Sequence, residues 1–226
     1  MTLVFRWTWL PRLTQGLALT LELTALSMAL GAVLGIMLAL WRVYAKGPFL
    51  PLYGLASAYV HFFRGTPLLV QLMALYYGLP SLGIKLSAFT AGLLALTLNT
   101  AAYQAEYFRG AIQSVKSGQM LAARALGLTR LQAIRYVILP QALRLVIPPW
   151  SNELVYMLKG SAVVYLVGVL DLMGQAKTIA AREFRNFEVY IVVALFYLAL
   201  VFVFTVVLRW VERRTHIPGL ALPGRA

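Results

Sequence analysis

The residues of this chain able to do polar chemistry are few, and most sit inside apolar sequence. Glu153 stands beside Asn152 in the weakly polar stretch 141–158. Asn99 interrupts the uncharged run 86–105, and Glu106 and Arg109 follow it three residues apart. Asp171 lies in the semi-apolar segment 160–187. Arg64-Gly65-Thr66-Pro67 separates two further apolar runs, 47–63 and 65–84. A charge inside hydrocarbon is costly and usually faces a cavity or a partner. The Glu153 carboxylate therefore suits a cation or amino group in transit, or an internal ion pair with Lys159 or Arg144. Glu106 and Arg109 can pair on one helix face, in a structural or gating role. Asn99 either bonds a neighbouring helix or faces a pathway. Asp171 is ambiguous, because a semi-apolar re-entrant segment can be largely wet. Pro67 cannot donate to a helical ladder and restricts Thr66, so residues 64–67 mark either a simple kink or a break that lines a path.

Other chemistries lack their residues. There is no cysteine, so thiolate metal sites, disulfides and cysteine nucleophiles are excluded. His61 and His216 are far apart, without metal-ligand spacing. Nothing matches the phosphate loop Gly-x-x-x-x-Gly-Lys-Ser/Thr. Arg6 and Arg12 precede no small-residue cleavage site, so no removable signal peptide is expected.

The elements that must position these residues are apolar helices. The chain of 226 residues is 61% hydrophobic and 12% charged, with a mean hydropathy of +0.78. Soluble domains are about 25% charged and roughly 45–50% apolar. This composition belongs to a membrane protein. A spanning helix needs roughly 20 mostly apolar residues, and the pattern predicts five, near 13–41, 52–79, 86–112, 141–159 and 188–210. No internal repeat or linker divides them, so residues 1–226 read as a single transmembrane domain. The fold class expected is all-α.

The formal charge is +13, and its placement is informative. Connection 113–140 carries Lys116, Arg124, Arg130 and Arg135 with no acid, and Arg109 and Arg144 flank it. Positive loops stay cytoplasmic. Five spans then put the N-terminus outside and the C-terminus inside, where Arg209, Arg213, Arg214 and Arg225 agree. Arg6, Arg12, Lys159, Lys177, Arg182 and Arg185 run against that tendency. Within the connection, residues 119–126 are good helix formers and Gly127 suits a helix end. Thr129 suits the N-cap of a second short helix over 129–138, which Pro140 is expected to stop while starting the next membrane helix. Small Ala122 and Ala123 would permit close approach of a partner. Spacing alone fits equally a hairpin lying on anionic lipid.

Three stretches resemble a known family. Ala122-Ala123, Gly127, then Val137, Leu139 and Pro140 are similar to the coupling-helix motif of bacterial ABC importer permeases, with Leu121 where the motif has Glu and Val137 where it has Ile. Phe62-Phe63-Arg64-Gly65-Thr66-Pro67-Leu68-Leu69-Val70-Gln71 resembles the signature of the polar amino acid permeases. So do Leu98-Asn99-x-x-Ala102-Tyr103-x-x-Glu106-x-x-Arg109-Gly110 and Leu139-Pro-Gln-Ala-x-Arg144 followed by Pro148. Trp150-Ser151-Asn152-Glu153 through Lys159, with Leu170-Asp171-Leu172-Met173, looks like the branch importing arginine, histidine and lysine. Lys159-Gly160-Ser161-Ala162 departs from the Lys-Asp-Thr-Ser of many members.

The resemblance covers roughly residues 14–212 and implies a type I ABC importer permease of the inner membrane. It implies ATPase partner subunits that hold ATP and magnesium, and no cofactor in this chain. It also implies a second permease, identical or related, and an external amino acid-binding protein. Membrane lipid and the amino acid itself complete the partners; nucleic acid is not among them. Leu121, Ala122, Ala123, Gly127, Val137, Leu139 and Pro140 would couple to the ATPase. Gly65, Thr66, Asn99, Asn152, Glu153 and Asp171 would line the substrate pathway, and the chain itself would catalyse nothing. The rivals are the same machine for glutamine, glutamate or an opine, an ATPase-independent transporter or channel, and a membrane enzyme, for which no catalytic cluster is present.

Overall fold

The computed structural model describes residues 6–115 and 117–215. Lys116, His216 and Arg225 lie outside the described residues. The described chain is helical, without strands. Among the described residues nine α-helices follow one another: α1 (Leu10–Tyr44), α2 (Leu50–Gly65), α3 (Leu68–Met73), α4 (Ala88–Ser114), α5 (Ser117–Ala125), α6 (Arg130–Ala133), α7 (Leu139–Gly160), α8 (Leu172–Glu183) and α9 (Asn186–Thr215).

Two helical stretches are long and apolar enough to cross a membrane alone, Trp7–Tyr44 and Asn186–Thr215. A third is the pair Arg130–Val167 and Leu172–Glu183, bent by 50° at its break. All five expected segments are helical, but two of them depart from plain spans for separate reasons. The segment expected at 52–79 is cut at Thr66-Pro67, both extended. After α3 it widens into a π turn and then tightens into a 3-10 turn ending at Gly83, whose φ of 83° needs a glycine. α4 is long enough, but it buries Thr97, Asn99, Thr100 and Gln104. It can carry Asn99, Thr100 and Gln104 because α1, α2, α3 and α7 surround it and share their hydrogen bonds, whereas the Thr97 hydroxyl is left without a partner.

Close approach of α1 and α4 organises the core. The α1 face carries Ser27, Gly31 and Gly35 at four-residue spacing, all buried. A Cβ at Gly31 would lie 2.6 Å from Thr100 Cγ2, and one at Gly35 would lie 3.1 Å from the Ala101 carbonyl. Small residues at this period let membrane helices pack backbone to backbone. The apolar core between them and α7 includes Leu23, Met28, Leu72, Leu96 and Met157. A second core joins α1, α8 and α9 through Leu13, Leu172, Ile179 and Val193.

α7 does start with Pro140 in its first turn, but the stop expected there does not occur. Helix runs without interruption from Arg130 to Gly160. The turn over Ile134–Ile138 widens to π geometry, and the Leu139 N–H reaches back five residues to the Ile134 carbonyl. The widened turn accommodates a proline that has no N–H and whose ring crowds an ordinary α-turn. Pro148 and Pro149 are likewise passed within α7.

Candidate functional site

The break after α2 creates an unsatisfied carbonyl, and distant side chains satisfy it. In an unbroken helix the Phe63 carbonyl would accept from residue 67, but Pro67 has no N–H. Gln71 Nε2 donates to it at 2.9 Å and Asn99 Nδ2 from α4 at 3.3 Å. Asn99 Nδ2 also donates to Gln71 Oε1 at 3.1 Å. Gln71 Nε2 lies 2.8 Å from Thr66 Oγ1, whose hydroxyl donates to the Phe62 carbonyl. Tyr59 adds a bond to the Leu98 carbonyl at 2.8 Å. Asn99 thus bonds a neighbouring helix. Thr66 is half-buried at the break, and Gly65 is exposed there.

One turn further along α4, a second network surrounds Glu153, which is 3% exposed. Thr100 Oγ1 donates to its Oε1 at 2.9 Å and the Tyr107 hydroxyl to its Oε2 at 3.1 Å. Gln104 joins the set, donating to Thr100 Oγ1 at 3.2 Å and accepting from Trp150 Nε1 at 2.7 Å. The ion pair considered with Lys159 or Arg144 is absent among the described residues. Neutral donors hold this carboxylate instead. Asn152 is exposed, on a different side of α7 from buried Glu153, because successive helical residues diverge around the axis.

Glu106 closes the end of α4 nearest the hairpin. It accepts from Arg109 at 2.6 Å and pairs with Arg42 at the end of α1. Arg109 also reaches Gln113 at 2.7 Å. The pairing expected between Glu106 and Arg109 is present, and Arg42 extends it between helices. The ambiguity at Asp171 resolves toward burial: it is fully buried. Its Oδ1 caps α8 by accepting from the Gly174 N–H at 2.9 Å, while Thr20 Oγ1 accepts from the next amide, Leu172, at 3.1 Å. Asp171 is satisfied in part as a helix cap because four amides at a helix start need acceptors.

Residues 117–138 form the third feature. α5 ends in a Schellman motif, with the Leu128 N–H bonded to the Ala123 carbonyl and the Gly127 N–H to the Arg124 carbonyl. Gly127 takes φ of 83° there. Thr129 and Gln132 then form a reciprocal capping box. With the polar ends closed locally, apolar side chains remain outside: Leu126 is 83% exposed, Leu131 75% and Leu121 71%. Ala122 is exposed and Ala123 is not. Ala123 therefore packs within the chain, and only Ala122 offers a small surface outward. Val137 and Leu139 lean on the core around Ile138 and Ala142, and Pro140 is exposed.

Arrangement and sequence point the same way. Residues 31–217 match the family described as binding-protein-dependent transport system inner membrane component. This chain belongs to that family. It is 43% identical over 195 residues to the probable glutamine ABC transporter permease protein GlnM of Bacillus subtilis (strain 168), covering 86% of this chain and 89% of that one. It is 38% identical to the arginine transport system permease protein ArtQ of the same organism, over 91% and 93% of the two chains. A crystal structure titled as an amino acid ABC transporter with histidines superposes with a TM-score of 0.85 at 42% identity, covering 92% and 95%.

As a member of the inner-membrane component family, the chain is a transporter subunit of a system that depends on a binding protein. Sequence reasoning singled out Asn99 and Glu153 but missed the side chains that hold them. Gln71 enters the sequence reading only as the last residue of a signature, and Thr100, Gln104 and Tyr107 do not enter it at all. Their signal was present: a glutamine or asparagine inside an apolar helix requires a partner on another helix.

Proposed function

We propose that the chain is the membrane-spanning permease of an ATP-binding-cassette importer for amino acids. The observation that carries this is the hairpin 117–138, with its polar ends capped internally and Leu121, Leu126 and Leu131 turned outward. An apolar knob on a basic connection suits a groove on a soluble partner. The partner proposed is an ATPase subunit that holds ATP and magnesium. Leu121, Ala122, Gly127, Val137, Leu139 and Pro140 form or support the contact, and Ala123 shapes it from within. ATP-driven closure of two ATPases would push on two hairpins, one from each of two permeases, and bias the pair between outward- and inward-open states.

In this reading the C-terminus is cytoplasmic and the N-terminus external, where a binding protein delivers the amino acid. Gly65, Thr66 and Asn99 at the α2 break gate the path; Asn152, Glu153 and Asp171 border it. Glu153 favours a basic amino acid: its carboxylate has no cation partner among the described residues, so a substrate guanidinium or ammonium can supply one. Glutamine is the second reading, favoured by the 43% identity to a relative named for glutamine.

The test is ATP hydrolysis by the reconstituted permease, ATPase and binding protein in liposomes. Stimulation by arginine, lysine or histidine supports the basic reading, and Glu153→Ala should abolish it without impairing assembly. Stimulation by glutamine alone would replace the substrate while keeping the machine. Uptake without the ATPase would overturn the machine.

A further inference from the structure

A polar pocket of about 340 Å³ lies between α7 and α9, outside the networks described above. Ser151 and Asn152 line it from α7, and Thr205, Arg209 and Glu212 from α9, with Val155 and Leu208 as apolar walls. Three features make it unusual for a groove between membrane helices. Ser151 is 3% exposed, and its hydroxyl has no hydrogen-bond partner. A buried hydroxyl left unpaired costs free energy, and a helical serine commonly avoids this by bonding a carbonyl of the preceding turn. Arg209 and Glu212 are one helical turn apart, a spacing at which opposite charges commonly pair. Yet neither side chain has an ion pair among the described residues. The pocket thus holds a cation and a carboxylate without ion pairs, walled by a buried serine whose hydroxyl is unpaired.

We infer that this pocket binds a compact zwitterion, a ligand with an ammonium and an anionic oxygen group close together. The anionic group sits against Arg209 and the Ser151 hydroxyl, and the ammonium against Glu212 and the Asn152 amide oxygen. A purely anionic ligand would meet Glu212 as a repulsive charge, and a purely cationic one would meet Arg209. Two sources share this chemistry: an ethanolamine phospholipid headgroup reaching in from the membrane, and a free α-amino acid. The inference does not depend on the importer reading, because it uses only the pocket.

The test uses the purified full-length chain in detergent stripped of lipid. Native mass spectrometry reads retention of added phosphatidylethanolamine and phosphatidylglycerol. Equilibrium dialysis reads binding of radiolabelled glutamine and arginine. The wild-type chain should retain phosphatidylethanolamine or bind a free amino acid, and whichever arm is positive identifies the source. Arg209→Gln and Glu212→Gln should each weaken that ligand about tenfold. Ser151→Ala, which removes one hydroxyl with little risk to folding, should weaken it several-fold. Arg213→Gln, outside the pocket, should not change it. Retention of phosphatidylglycerol equal to phosphatidylethanolamine, unaffected by Glu212→Gln, would overturn the zwitterion. Amino acid binding lost in Glu153→Gln but kept in both pocket charge variants would place the ligand elsewhere and overturn the site. So would the absence of any retained ligand.

Discussion

The polar seam of α2, α3, α4 and α7 and the hairpin 117–138 solve opposite problems. In the seam, the bonds that tie one helix to another join residues far apart in sequence, such as Gln71 with Asn99 and Thr100 with Glu153. In the hairpin, the bonds are local: Leu128 to Ala123, and Thr129 with Gln132. The seam buries polar groups and satisfies them from neighbouring helices. The hairpin satisfies its polar groups within a few residues and leaves leucines outside. The difference teaches where each region is fragile. The seam should fail as part of the whole fold, whereas the hairpin should lose its contact and keep the fold.

Substitutions can break that contrast, and the largest effect belongs to the helix contact behind the seam. Gly31→Leu would drive a side chain into Thr100 and Gln104, whose atoms already lie 2.6 and 2.8 Å from an added Cβ. It should destabilise the protein by roughly 3 kcal/mol or more, seen as loss of the monodisperse peak in detergent chromatography. Gly118→Leu in the hairpin, where a Cβ meets nothing within 4 Å, should leave that peak unchanged. Equal behaviour of the two variants would erase the distinction.

Gly127→Arg should separate assembly from folding. The residue sits at φ of 83°, so a side chain costs about 1–2 kcal/mol locally. The protein should still insert and run as a single species while failing to retain its ATPase in co-purification. Wild-type retention would remove the hairpin from the coupling role.

Gln71→Ala and Asn99→Ala should each lower stability by about 1–3 kcal/mol, because each leaves the Phe63 carbonyl with one donor fewer. A double-mutant cycle in thermal unfolding should give a coupling of about 0.6 kcal/mol, typical of interhelical bonds in membranes. Strict additivity would mean the two amides do not act as one network. The smallest effect is Thr129→Ala, about 1 kcal/mol. It should appear as faster hydrogen exchange at the Gln132 amide and not as a lower global melting temperature.

Legibility in the sequence follows the same division. Gly127 and Thr129 could be assigned to a helix end and an N-cap because those roles depend on neighbours within five residues. The break at Pro67 was legible for the same reason. The outcome at Pro140 was not, because widening to a π turn is a choice the surrounding packing makes. Ala123 and Ala122 are identical in type, and only the return of the chain over 130–138 turns one inward. Asp171 is ambiguous in the sequence, because its role as the N-cap of α8 shows only in the fold.

By itself the sequence determined the class of the protein and its local punctuation. Apolar content and charge placement depend on transfer free energies that each residue carries wherever it goes. Caps and turns depend on bonds that close within a few residues. Only the tertiary structure decided which polar groups share a site: Gln71 with Asn99, Glu153 with Thr100 and Tyr107, and Arg42 with Glu106. Those pairings depend on which helix faces meet. The close approach of α1 to α4 at Gly31 and Gly35 sets that, and it exists only when the helices pack together.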